Sequence, residues 1–229
     1  MAYQIKYPDY DDNPKPEKEL KIVNDWMYHN IPVPSWFGIG ILKNPLDLWV
    51  FQEIIFECRP DFIIEVGFHW GGSTLFFAHI CTVMQHGEIL SIDCTFDNLD
   101  PRAVHKRIHR IKGWSWEQKV LDEVQERIKY SGDPNRPSVM VILDADHNKE
   151  SVLKELNLYG HLVTKGQYLI VEDTNLNGHP SNPGWGEGPY EAVHEFYQTD
   201  LGKKYFIDRS QEKFFITLNP CGFLRKISE

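Results

Sequence analysis

The sequence is short of cysteine, of positive charge and of long apolar runs, and each shortage removes a class of protein. Four cysteines in 229 residues (Cys58, Cys81, Cys94 and Cys221) stand apart, with no CxxC pair. Neither a zinc site nor a disulfide framework is expected, and the thiols are read as reduced. Lys and Arg number 24 against 33 Asp and Glu, a formal charge of −9. Broad binding along a phosphate backbone needs the opposite balance, so no nucleic-acid partner is expected. No apolar run reaches the length that crosses a bilayer, and the opening residues carry no basic segment followed by an apolar one. The expectations are therefore no membrane partner, no signal peptide and a cytoplasmic location. What is present, 41% hydrophobic and 25% charged residues, is ordinary globular composition with enough apolar surface for one core. The acidic balance suits a site that holds cations and leaves a homo-oligomer open.

Along the chain, residues 1–15 are polar and Pro-rich and read as an extended arm. From Pro16 a helical pattern places Leu20, Val23 and Met27, with Ile22 and Trp26, on one apolar face. Ile31 to Asn44 reads as a loop, and a second helix runs from about Pro45 to Cys58, stopped before Arg59-Pro60. Residues 1–60 thus form an N-terminal arm and helices, and 61–229 one compact unit. In that unit Phe62–Val66, Ile89–Ile92, Ile108–Ile111, Val139–Leu143 and Tyr168–Val171 read as buried strands. Helix candidates near 73–85, 116–129, 148–158 and 189–199 alternate with them. Such alternation means α/β architecture around a mostly parallel sheet with right-handed crossovers. Tyr205–Ile207 and Phe214–Leu218, joined by a polar turn at Arg209–Glu212, read as a terminal antiparallel hairpin.

Ligands of a doubly wound sheet bind outside the carboxyl ends of its strands. The first such end here reads Glu65-Val66-Gly67-Phe68-His69-Trp70-Gly71-Gly72-Ser73. Its G-x-x-x-G-G spacing, with an acid two residues before, departs from the dinucleotide pattern and suits a nucleoside with an amino-acid tail. Gly67 provides the tight turn, Gly71 and Gly72 close backbone approach, and Ser73 a helix N-cap. Asp93 ends the next strand, where a carboxylate accepts ribose hydroxyls. Ser115, between Trp114 and Trp116 after the third strand, is placed to bracket a base, though the tryptophans read equally well as core.

Two further strands run into Asp144-Ala145-Asp146-His147 and Glu172-Asp173-Thr174. If these ends are neighbours, four carboxylates and a histidine share one small volume, which is costly without a cation. Hard oxygen donors favour Mg²⁺ or a similar ion. Asp146, Glu172 and Asp173 form the expected ligand set, with Asp144 as substitute for Asp146 or as a contact to the cofactor. Asp146 and His147 are the expected catalytic pair, His147 as proton acceptor. The Gly/Pro-rich stretch after the second acidic end suggests a lid or binding loop, with His179, Trp185 and Tyr190 as candidate acceptor contacts.

These strings, together with DRSQEKFFITLNPCGFL near the carboxyl end, resemble the cephalosporin hydroxylase family from about Tyr10 to Leu224. Despite the name, its members look like S-adenosylmethionine-dependent methyltransferases, among them rhamnosyl O-methyltransferases and a protein of cephamycin biosynthesis. The resemblance implies a Rossmann-like class I methyltransferase fold, with a seven-stranded, mostly parallel sheet. It implies S-adenosylmethionine contacts from Glu65, Gly67, Gly71, Ser73, Asp93 and Ser115, and a divalent metal at Asp146, Glu172 and Asp173. His69 and Trp70 are bulkier than expected in that glycine loop and reshape the pocket near the methionine tail. His147 parallels the base of metal-dependent catechol methyltransferases, where the residue is a lysine. The function expected is metal-dependent O-methyl transfer to a hydroxyl of a small molecule, a sugar or a natural-product intermediate. Two rivals stand beside it: an oxygenase, for which His86-Gly87-Glu88 is the nearest pattern, and a non-catalytic binding module on the same fold.

Overall fold

A computed structural model of the chain describes residues 17–129 and 137–229. The expected N-terminal arm lies outside the described residues. The elements, in order, are α1 (Glu17–Asn30), β1 (Ser35–Trp36), β2 (Ile39–Gly40), α2 (Pro45–Cys58), β3 (Phe62–Val66), α3 (Gly72–Val83), β4 (Glu88–Asp93) and β5 (Ile108–Lys112). There follow α4 (Gln118–Lys129), β6 (Val139–Leu143), α5 (Lys149–Tyr159), β7 (Tyr168–Val171), α6 (Pro189–Phe196), β8 (Tyr205–Ile207) and β9 (Phe223–Lys226).

Seven strands form one sheet in the order β5-β4-β3-β6-β7-β9-β8. The first five are parallel, β9 runs antiparallel to β7, and β8 antiparallel to β9. Strand order reverses between β3 and β6, so the crevice at their carboxyl ends is where a Rossmann-like sheet takes its ligand. Alternation of side chains sorts the core into two layers. Phe62, Ile64 and Val66 of β3 pack on the side covered by α4, α5 and α6. Ile63 faces the other way, toward Phe51, Ile54 and Ile55 of α2 and Phe77 of α3. Helix α2 therefore covers the sheet directly. Asn44 caps it through its side chain to the Leu46 amide at 3.0 Å, Pro45 opens it, and Arg59 ends it at φ +43°, before Pro60.

Two sequence expectations give way. The terminal hairpin is not made by Phe214–Leu218: β8 pairs instead with Phe223–Lys226. Phe215 sits at φ +65° and is exposed, and Arg209–Glu212 forms a 3-10 turn rather than a hairpin loop. The apolar face expected on α1 is not buried either. Ile22 and Trp26 are 60% and 62% exposed, while the polar Asn24 turns inward and donates to the Thr217 carbonyl at 3.0 Å.

Candidate active site

The carboxyl ends of β3, β4, β5, β6 and β7 surround a cavity of about 730 Å³. Its floor is the glycine turn after β3. Gly67 takes φ +85°, and a Cβ there would stand 2.1 Å from the Asp144 carbonyl oxygen, so only glycine lets the β3 and β6 ends close together. Phe68, His69 and Trp70 follow into the wall, His69 at φ +45°. Gly71, expected to admit a ligand, instead admits protein: a Cβ there would meet Leu99 and Ala103 at 2.8 and 2.9 Å. Gly71 and Gly72 are not in the cavity wall.

Glu65, fully buried, does not reach the cavity. Its carboxylate accepts from Ser73 Oγ at 2.5 Å and from Thr74 Oγ1. Burial raises its pKa, and Lys43 and the two hydroxyls oppose the rise. Ser73, which is bonded to Glu65, does line the cavity. Asp93 is tied to the same loop. Its Oδ2 accepts from the Phe68 and His69 amides at 3.1 and 3.2 Å, and its Oδ1 from Thr95 N at 3.2 Å. At the end of β5, Gly113 donates to the Asp93 carbonyl at 3.0 Å. Ser115 donates to Glu155 Oε1 at 2.5 Å, and its carbonyl accepts from Tyr159 Oη at 2.7 Å.

The β6 and β7 ends are neighbours, and their acids do meet. One ligand atom each from Asp144, His147 and Asp173 lie within 4.8 Å of one another. His147 Nε2 is 3.2 Å from Asp173 Oδ2. Burial pushes the Asp173 carboxyl up to about 6, against the pull of His147. Of the expected ligand trio only Asp173 belongs to this cluster. Asp146 lines the cavity, but its carboxylate is taken up at the start of α5, accepting from Asn148 N at 3.2 Å and Ser151 Oγ at 2.8 Å, while Asn148 caps the helix. Glu172 is buried and bound to Lys43 at 2.5 Å.

Lys43 is the residue that sequence reasoning missed. It enters from the loop before α2, pairs with both Asp144 and Glu172, and its side chain is 1% exposed. Burial works against its charge, but Asp144, Glu172 and Glu65 together hold the ammonium above its ordinary range. The cation that the acidic cluster demands is in part this one. The sequence signal was a single charge, Lys43, between the apolar run Ile39–Leu42 and the capped helix. Tyr28 was also missed, and it lines the cavity with Met27, Ile31 and Leu218.

The proposed acceptor contacts fall around the rim. His179 stacks on Tyr190 at 3.7 Å, and its Nε2 donates to Glu191 Oε1 over 3.0 Å; neither ring lines the cavity. Trp185 is nearer, its Nε1 donating to the His147 carbonyl at 3.1 Å. His86 and Glu88, the oxygenase pattern, lie at the opposite, amino end of β4, where His86 Nε2 stands 3.3 Å from Asp61.

The residues present fit both implied groups. A nucleoside finds a walled cavity with a loop-anchored carboxylate, and a hard cation finds the oxygen donors of Asp144 and Asp173, with His147 beside them. Fold and family match together define a Rossmann-like O-methyltransferase. Residues 26–227 match the family model described as Rhamnosyl O-methyltransferase/CmcI, and the chain belongs to that family. A rhamnosyl O-methyltransferase of Mycobacterium leprae is 39% identical over 204 residues, covering 87% of this chain and 86% of that protein. One from Mycobacterium tuberculosis is 37% identical over 205 residues, covering 87% and 81%. Among solved structures, CmcI with magnesium and S-adenosylmethionine superposes with a TM-score of 0.62 at 21% identity, over 96% of this chain and 89% of that one. That likeness speaks for the fold. Among the described residues no helix is long and apolar enough to cross a membrane.

Proposed function

We propose that this chain transfers a methyl group from S-adenosylmethionine to a hydroxyl of a sugar, a rhamnosyl unit being the acceptor its relatives' names suggest, with a divalent cation at the β6–β7 end. One observation carries the reading: the nucleoside cavity and the Asp144–His147–Asp173 cluster share a single wall.

When bound, S-adenosylmethionine supplies an electrophilic methyl. The acceptor oxygen forms a C–O bond as the C–S bond breaks, the electron pair leaves on sulfur, and the hydroxyl proton goes to a base. A divalent cation held by Asp144 and Asp173 would lower the pKa of the acceptor hydroxyl and orient it. The chain's own residues supply the rest. Asp93 offers its remaining lone pairs to ribose hydroxyls, its position fixed by the Phe68 and His69 amides. Asp144 and Asp173 are the oxygen ligands we assign to the cation, and Glu172 and Lys43 neutralise one another behind them. His147 takes the proton, its ring oriented by Asp173. Met27, Ile31, Val33 and Leu42 give the cavity an apolar lining, where we place the acceptor.

The test is methyl transfer from labelled S-adenosylmethionine to a panel of alkyl and aryl rhamnosides, with Mg²⁺ and with chelator, for the wild type and Asp173→Ala. Transfer to a sugar hydroxyl that falls at least about a hundredfold in both the chelator and the variant supports the reading. Full turnover in chelator would remove the metal from it, and no transfer to any sugar would remove the acceptor.

A further inference from the structure

Helix α5 turns one acid toward the core. Val152, Leu156 and Tyr159 form its apolar face and pack under the sheet, and Glu155 falls on that face at helical spacing. It is 1% exposed and belongs to the cavity wall. Ser115 Oγ satisfies Oε1, while Oε2 has no hydrogen-bond partner among the described residues. A buried carboxylate oxygen without a donor is costly and rare, and at a ligand cavity it points to a donor on the ligand. The proposed mechanism makes no use of Glu155.

Its place in the cavity says which part of a ligand it meets. Asp93 and Lys112 are strand partners, and Gly113 is bonded to the Asp93 carbonyl. Ser115 lies three residues beyond that partner, fixed through its carbonyl by Tyr159. Ser115 thus ties Glu155 to the β5 side of Asp93, beyond the ribose position, while the charges of Asp144, Asp146 and His147 still reach it. Trp114 and Trp116, stacked at 5.1 Å and 16°, flank the same turn and give the flat wall a base needs. Resting on the reading of this cavity as the methyl-donor site, we propose that Glu155 is a specificity-determining residue for the base: its free carboxylate oxygen accepts a hydrogen bond from the exocyclic 6-amino group of adenine. A 6-oxo purine would present a lone pair to that oxygen and leave it unpaired, and sites built on such a bond reject the analogue that lacks it.

The experiment compares binding of S-adenosylhomocysteine and its deaminated analogue S-inosylhomocysteine by calorimetry, for wild type, Glu155→Gln and Glu155→Asp. Measurement at about pH 8.5 keeps the carboxyl an acceptor, since burial holds it near about 7. The wild type should prefer the amino form by more than about tenfold. Glu155→Gln, whose amide can turn either face to the base, should bring the ratio close to one. Glu155→Asp keeps the charge but withdraws the carboxyl by one methylene, and should lower the ratio as well. Equal binding of the two nucleosides by the wild type overturns the inference without any variant, as does an unchanged ratio in a folded variant. Failure of the wild type to bind either nucleoside would instead overturn the donor-site reading beneath it.

Discussion

The two halves of the cavity satisfy their acids in different ways. On the β4–β5 side, Asp93 is held by the backbone amides of Phe68 and His69, in the loop after the adjacent strand. On the β6–β7 side, Asp144 and Glu172 are held by the side chain of Lys43, more than a hundred residues away in sequence. The first arrangement is built from neighbouring strand ends and survives the loss of any one distant contact. The second depends on a single ammonium buried between two carboxylates. The nucleoside half should therefore be robust and the acidic half brittle, and the experiments that follow can break or sharpen that contrast.

The largest effect is expected from Lys43→Met. Removing one partner of a buried ion pair strands the others, at a cost of about 3–5 kcal/mol. Denaturant melts should show that loss, and added Mg²⁺ should restore part of it if the cation takes over the charge of Asp144 and Glu172. A variant as stable as the wild type would mean that the acids shed their charge when Lys43 leaves, and that the acidic half is as robust as the other.

Asp93→Ala comes next, and its loss should appear in binding rather than folding. Charge-assisted hydrogen bonds are worth about 1.5–3 kcal/mol, so S-adenosylhomocysteine should bind roughly tenfold to a hundredfold more weakly. A change of less than about twofold in calorimetry would show that Asp93 is spent on its own loop and holds no ligand.

A third test uses pH on the support of the acidic half. Asp47 of α2 accepts from the Leu218 amide at 2.8 Å, and burial pushes its carboxyl from 3.8 up to about 7. Between those values the folded state holds more protons than the unfolded one, so the stability from Asp47 is complete below about pH 4 and is lost as pH rises through about 7. Asp47→Asn keeps an acceptor for Leu218 and cannot ionise. Its melts should be flat where the wild type declines, with a gain on the order of 1–3 kcal/mol above pH 8. Parallel wild-type and variant profiles would rule out this carboxyl as the source.

The same contrast explains what could be read from the sequence. β3, β6 and β7 are buried at every position, so their apolar runs announced them, and with them the glycine turn and the acidic ends. The structure brings the strand-end acids into one neighbourhood but not into one set of contacts. Asp146 follows its local contacts to Asn148 and Ser151, and Glu172 follows a lysine that no spacing rule ties to it. Glu155 had a local signal, an acid on the apolar face of α5, that the strand-end pattern obscured. At the carboxyl end, the β-rich composition of Phe214–Leu218 outweighed the charged Phe223–Lys226 run. That run is the strand because Gly222 lets the backbone close on β7, where a Cβ would stand 2.2 Å from the Val171 carbonyl oxygen, and because Lys226 is satisfied inside by the Val163 carbonyl at 2.7 Å.

The smallest expected effect tests where the acceptor side ends. Trp185 is 48% exposed and meets the site through its Nε1–H on the His147 carbonyl. Trp185→Phe keeps the ring and loses that bond, a neutral one near solvent worth about 0.5–1.5 kcal/mol. It should leave S-adenosylhomocysteine binding unchanged and lower kcat/KM for a sugar acceptor by less than about tenfold, through a less firmly held His147. If instead KM for the acceptor rises by about a hundredfold while kcat stands, uniform binding energy has been removed. The loop carrying Trp185 would then hold the sugar directly, and the wall of Met27, Ile31, Val33 and Leu42 would be only half of the acceptor site.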